Sequence, residues 1–195
     1  GKPTDIFKNM DDESRLLALD IIKHCWKTET MPSEFELAEL VTLYKKGNVE
    51  DPANYRPIAL LNTLYKIYAS LLQVRISDGL DKRLWETQYG FRKKRNTSQP
   101  LFITRRLQDQ AEQTGDKLFL VFLDWEKAFD KIDQDKLLEV LERLNIPQEL
   151  VSAIAALYEN PMFCSSYEEE ESQYYKQETE IRQGCPLSLP PGPPR

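Results

Sequence analysis

The stretch Leu118–Asp133, LFLVFLDWEKAFDKID, decides how this chain is read. Six apolar residues, Leu118 to Leu123, run without interruption and stop on a carboxylate, Asp124. Apolar side chains at both parities mean that a strand here would have to be covered on both faces, which predicts a central position in a sheet for 117–123. An acid at the carboxyl end of such a strand faces a rim of loops, where ligands commonly bind. A carboxylate there can hold a hard divalent cation, or it can simply cap the turn that follows.

Working outward, the chain has 195 residues, enough for one domain with a buried core. It opens on Gly1, so it reads as a piece of a longer product. No apolar run is long enough to cross a membrane and no signal peptide opens it, so no membrane partner is expected. Its three cysteines, Cys25, Cys164 and Cys185, are odd in number and widely spaced, and there is one histidine, His24. They make neither a disulfide framework nor a zinc site, which points to an intracellular setting. The net charge of −6 argues against a nucleic-acid binder, but the average hides a basic module. Between Lys45 and Arg95, eleven cations face five acids, a local excess of +6.

Periodicity predicts helices over about Ser14–Thr28, from past Pro57 to Ser77–Gly79 (with Leu64, Ile67, Tyr68 and Leu71 on one face), and from Ser98 to about Gln113. Two more are expected after Asp133 and after Pro147. ELVTLY is strand-like, and FCSSY pairs with YYKQETEI around an acidic turn at Glu168–Glu171. The expected fold class is α+β, helices packed on a small, mainly antiparallel sheet.

Four blocks then identify a resemblance. FLDWEKAFDKI, LYKKGNVEDPANYRPIALLNTLYKIYASLL, QYGFRKKRNT and IRQGCPLS occur in an order that resembles the reverse transcriptases of non-LTR (LINE-type) retrotransposons. The resemblance implies the fingers and an incomplete palm of a right-hand polymerase. Residues 1–30 would form an N-terminal helical segment, 31–188 the fingers and partial palm, and 189–195 a proline-rich tail outside the family pattern. It implies an RNA-directed DNA polymerase, a nucleotidyltransferase, with Mg²⁺ as cofactor, RNA template, DNA primer and dNTPs as partners, and nuclear DNA as the expected target. No oligomeric state is implied.

Placed on this sequence, the resemblance makes Asp124 the catalytic, metal-binding aspartate, with the main-chain carbonyl of Trp125 as a further ligand. Phe129 would crowd the 2′ position of the incoming nucleotide; an aromatic there is otherwise core. Asp130, six residues on, shares no helical face with Asp124 and is expected to be structural. Gln183 and Gly184 would lie along the nucleotide sugar and template base, with Arg182 supporting them as part of the same nucleotide-binding set; without the resemblance they read equally as a strand-to-helix turn. Arg56, Arg92, Lys93, Lys94 and Arg95 would meet phosphates of the template or the triphosphate, or form a solvated charge run. Where the family continues to a hairpin bearing two adjacent aspartates, this sequence ends in PPGPPR, and its only adjacent pair is Asp11–Asp12. The chain is therefore expected to be inactive alone, because a two-metal mechanism lacks its other anchor. The alternative is a non-catalytic nucleic-acid-binding remnant.

Overall fold

A computed structural model describes residues 9–92, 94–125, 131–167, 170–177 and 181–188. Helix α1 spans Asp12–Thr28. Asp11 starts it by accepting a hydrogen bond from the Ser14 amide at 2.7 Å, and Glu29 closes it in the left-handed region. The short α2 (Ser33–Glu36) leads straight into β1 (Leu37–Tyr44), and β2 (Tyr55–Leu61) returns antiparallel to it. Helix α3 follows (Thr63–Leu80), capped by Asn62, then α4 (Ser98–Thr114), ended by Gly115 at φ +73°. Helices α5 (Gln134–Arg143) and α6 (Gln148–Leu157) precede β3 (Met162–Tyr167), β4 (Glu170–Glu171) and β5 (Tyr175–Lys176).

The sheet is mixed, in the order β2-β1-β3-β4. β1 is its central strand: Ala38 pairs with Leu61 on one side and, in parallel register, with Phe163 on the other. β3 carries β5 at its start and β4 at its end, both antiparallel. Antiparallel pairs thus predominate, as the turn-rich pattern predicts, and the α+β class holds.

The core lies on α3. Tyr65, Tyr68, Ala69, Leu72 and Ile76 are buried and follow helical spacing. Across from them sit Phe35, Ala38, Ala59 and Leu61 from the first hairpin, and Val151, Ile154 and Leu157 from α6. Desolvation pushes the Tyr68 phenol up to about 12.

Several expectations need correction. The buried face of α3 runs through Tyr65, Tyr68 and Leu72, the side packed on the first hairpin and α6, while Leu64 and Ile67 are half-buried and Leu71 is exposed. Ser98, which its residue type would suit to a helix cap, is instead the first residue of α4, after Thr97. The Asn96 side chain accepts from the Ser98 amide at 3.0 Å.

The largest correction concerns 117–124. It is not a sheet strand: residues 116–125 carry no regular structure, and Phe119, Val121, Phe122 and Leu123 are 82–84% exposed. A strand needs an edge as well as an apolar pattern. β1 is paired on both sides, β3 is flanked by β1, β4 and β5, and the outer side of β2 is met at Ala59, whose amide donates to the Gln183 carbonyl at 2.7 Å.

Leu72→Ala is therefore expected to cost about 2–5 kcal/mol in denaturant unfolding, whereas Leu123→Lys should change stability by less than about 0.5 kcal/mol. A loss from Leu123→Lys matching that from Leu72→Ala would place the segment back in the core.

Candidate nucleotide and nucleic-acid site

The loop between β1 and β2 is built to deliver Arg56. Gly47 turns at φ +101°, where an added Cβ would lie 2.8 Å from the Asn54 side chain. The Asn54 amide donates to the Asn48 carbonyl at 2.9 Å, and the Lys45 amide to the Asn54 carbonyl at 2.8 Å. Tyr44 and Tyr55 brace the loop, their hydroxyls donating to the carbonyls of Gly47 and Val49 at 2.8 Å and their rings meeting edge-on at 5.5 Å. Arg56 follows on β2, exposed, opposite Leu43.

The turn 181–185 docks onto the same strand. The Ala59 amide donates to the Gln183 carbonyl. Gly184 sits at φ +119°, and a Cβ there would lie 2.6 Å from the Ala59 carbonyl oxygen and 3.7 Å from Ile58 Cγ2. Only glycine satisfies both the dihedral and the approach. Gln183 is half-buried and Gly184 is exposed at the surface of the turn. Strand β2 thus bears Arg56 and, three residues on at Ala59, the docked Gln183–Gly184 turn.

Arg182 faces the other way. It is 2% exposed, and its guanidinium donates to the Phe35 carbonyl at 2.9 Å and to that of Glu36. It also lies 5.5 Å from the Tyr65 ring centroid. Its Nε has no partner among the described residues. The side chain acts on the backbone that enters β1, so its effect on the turn is one of bracing. Below it, the Tyr65 hydroxyl and the Cys185 thiol are 3.3 Å apart. Burial pushes the Tyr65 phenol well above its ordinary value, and raises Cys185 and Tyr158 as well. All three groups therefore stay neutral at physiological pH.

The basic run divides. Arg92 is engaged within the chain, its guanidinium donating to the Asp81 carboxylate at 2.8 and 3.3 Å and to the carbonyls of Asp81, Trp85 and Gln88. The hydrogen bond to Asp81 is the main cause of its raised pKa. Lys94 is exposed, at φ +61°. Arg95 lies 5.4 Å from the Tyr89 ring centroid and lines a cleft of about 470 Å³ with Tyr89, Asn96, Ser98, Phe102 and Ile103. Sequence reasoning singled out the cations and missed their aromatic neighbours. The signal was the interleaving of Tyr89 and Phe102 with the charges. Lys93, Phe129 and Asp130 lie outside the described residues.

Asp124 is exposed at the end of the unpaired segment, and Trp125 beside it is exposed too. A divalent cation needs several hard oxygen donors. Among the described residues no group of three or more His, Cys, Asp or Glu side chains is placed to hold one. The described donors therefore do not make up the Mg²⁺ site that the resemblance implies. Among the described residues, no helix is long and apolar enough to cross a membrane.

Comparison with known proteins identifies the family. Residues 44–189 match the family model for reverse transcriptase (RNA-dependent DNA polymerase). The chain is 29% identical over 168 residues to a 149 kDa protein of transposon TX1 from Xenopus laevis, covering 86% of this chain and 13% of that protein. It is 24% identical over 190 residues to the Pol polyprotein of the type-1 retrotransposable element R2 from Nasonia vitripennis, covering 96% of this chain and 18% of the relative. It is 30% identical over 120 residues to the RNA-directed DNA polymerase of the mobile element jockey from Drosophila melanogaster, covering 60% and 13%. The chain thus spans less than a fifth of the length of these relatives.

Gly184→Ala should destabilise the fold by about 1–3 kcal/mol through the strained dihedral and the Ala59 contact, read as a lower urea midpoint. An unchanged midpoint would show that the turn does not dock as described. The buried phenols give a pH test. Their folded pKa values lie above the unfolded value near 10, so their contribution is complete below about pH 10 and is lost as pH rises through the folded values. Tyrosinate absorbance should show Tyr65, Tyr68 and Tyr158 ionising only with alkaline unfolding. Full ionisation of all nine tyrosines in a still-folded chain would contradict their burial.

Proposed function

Because this chain belongs to the reverse transcriptase (RNA-dependent DNA polymerase) family, in its non-LTR retrotransposon branch, we propose that it is the fingers and part of the palm of an enzyme that copies RNA into DNA. The observation that carries this reading is the docking of the Gln183–Gly184 turn on β2, the strand that also bears Arg56. A bare glycine backbone next to an amide side chain offers a nucleotide close approach with both donor and acceptor groups. Arg56 lies on the same strand, where a guanidinium can fork onto phosphate oxygens.

In this reading Gln183 and Gly184 lie along the sugar and base of the incoming nucleotide. Arg182 holds them in place from the core side. Arg56, Lys94 and Arg95 neutralise phosphates of template or triphosphate, with Lys93 as a further cation of the same run. The Tyr89 ring beside Arg95 adds a stacking surface of the kind that serves single-stranded nucleic acid. Arg92 shapes the connector through Asp81 and meets phosphate only by giving up those bonds. Phe129 guards against a 2′-hydroxyl, and Asp124 with the Trp125 carbonyl is the palm's first cation-holding group. The family's use of Mg²⁺ would demand more oxygen donors around Asp124 than the described residues supply.

That shortage favours a second reading for the 195-residue chain taken alone: it binds nucleic acid and performs no chemistry. A single pair of experiments separates the two. Binding of a labelled RNA–DNA primer–template should weaken steeply with salt, and Arg56→Ala or Lys94→Ala should each lower the log–log salt slope by about 1. A flat salt response would remove the nucleic-acid interface. Primer extension with Mg²⁺ and dNTPs should give no product from this chain, and extension abolished by Asp124→Asn would show that its site is complete.

A further inference from the structure

Arg92 has the chemistry of a phosphate ligand and the surroundings of a structural residue. A guanidinium carries five N–H donors. Here all five are engaged inside the chain: Nε donates to Asp81 Oδ1 at 2.8 Å, Nη2 to Asp81 Oδ2 and to the Asp81 carbonyl at 3.3 and 3.0 Å, and Nη1 to the carbonyls of Trp85 and Gln88 at 2.8 and 3.3 Å. The Arg92 side chain is 8% exposed, that of Asp81 49%. The backbone around Arg92 is tightly wound. Phe91 and Lys94 lie at φ +62° and +61°, a strained region for non-glycine residues that persists only where the surroundings fix it. Two links run from Arg92 to the cleft that Tyr89 and Arg95 line. Its Nη1 holds the carbonyl of the Gln88–Tyr89 peptide, and its own carbonyl accepts from the Arg95 amide at 3.3 Å.

We propose that Arg92 touches no nucleic acid but is a positioning residue: clamped to Asp81, it holds Tyr89 and Arg95 together as the seat of one unpaired base and its neighbouring phosphate. This rests on the nucleic-acid reading given above and adds what the seat takes and which residue shapes it. The cleft of about 470 Å³ is the size of a small-molecule pocket. Tyr89, Phe102 and Ile103 give it apolar walls, and Arg95, Asn96 and Gln99 a polar rim. A base inside a duplex is already stacked on its neighbours, so the Tyr89 ring suits an unpaired one. The Arg95 guanidinium, 5.4 Å from the centroid of that ring, is of the type that forks onto phosphate oxygens. Ordering entropy decides the part of Arg92. A loose connector would have to order Tyr89 and Arg95 at each binding event, and that ordering is subtracted from affinity. The five bonds of Arg92 order them in advance.

Binding of a short fluorescein-labelled single-stranded RNA to the full 195-residue chain, across a salt series, tests this through the sign of one variant. Asp81→Ala removes a negative charge from a chain of net charge −6 and releases Arg92. If Arg92 met phosphate directly, binding would tighten. A positioning role predicts the opposite, a loss of roughly tenfold, the scale of one stacked base. Asp81→Asn keeps the shape but offers one oxygen to a two-pronged guanidinium; it should move binding in the same direction and guards against misfolding of the alanine variant. Arg92→Lys keeps the charge but cannot make five bonds, so it should lose as much as Arg92→Ala. The loss from Asp81→Ala should also vanish in an Arg95→Ala background, because both changes empty the same seat. Binding tightened or unchanged by both Asp81 variants, Arg92→Lys that binds like the parent chain, or losses from Asp81→Ala and Arg95→Ala that simply add would each overturn the proposal while leaving the nucleic-acid reading in place. A flat salt response in the parent chain would remove that reading, and the proposal with it.

Discussion

The buried guanidinium of Arg182 is the constraint on which the described structure turns. A cation taken out of water must be hydrogen-bonded or the fold loses stability. Here the partners are two main-chain carbonyls, at Phe35 and Glu36, and the face of Tyr65. The three lie on two elements: α2, which enters the central strand, and the first turn of the core helix α3. Arg182 therefore fixes where a late segment of the chain sits against two early ones. Its neighbours inherit that position. Ile181 and Cys185 are buried on either side of it, Gln183 meets Ala59, and Gly184 presses its backbone on β2. The turn proposed to face the nucleotide is thus held by the core rather than by its own loop chemistry. Such support from rigid elements is what a binding constellation needs.

Much of this was legible in the sequence, and the parts that were not share one physical cause. Helix ends written in local chemistry were readable: Asp133 caps α5 by accepting from the Lys136 amide at 3.0 Å, and Gly115 ends α4. So were the antiparallel pairing of β3 with β5 and the family blocks. The blocks find a structural rationale in Gly47, Asn54 and Gly184, each of which a specific close contact requires. The reading of Lys117–Leu123 as a central strand failed because an unbroken apolar run records what a segment wants to bury, not whether a partner edge is present. β1, a less uniformly apolar strand, holds the centre instead because β2 and β3 both pair with it.

The site shows the same division. Residue types singled out Arg56, Gln183 and Gly184; Arg56 lies on β2, and the turn bearing Gln183 and Gly184 docks on that strand at Ala59. The basic run at 92–95 looked uniform, yet Arg92 is engaged by Asp81 and three carbonyls while Arg95 lies against Tyr89. Charge alone cannot distinguish a structural cation from an interfacial one, since the difference lies in neighbours eleven residues away. Arg182, expected to support Gln183 and Gly184, is buried and donates to the carbonyls of Phe35 and Glu36.

Amide hydrogen exchange at Ala59 tests the central claim most directly. Its N–H points off the paired side of β2 and is satisfied only through the Gln183 carbonyl at 2.7 Å. If the Arg182-held turn is part of the folded core, that amide exchanges as slowly as those of α3, through global opening. Exchange at the rate of a solvent-exposed strand edge would mean that the turn is detached from β2, and the account of the site would fail with it.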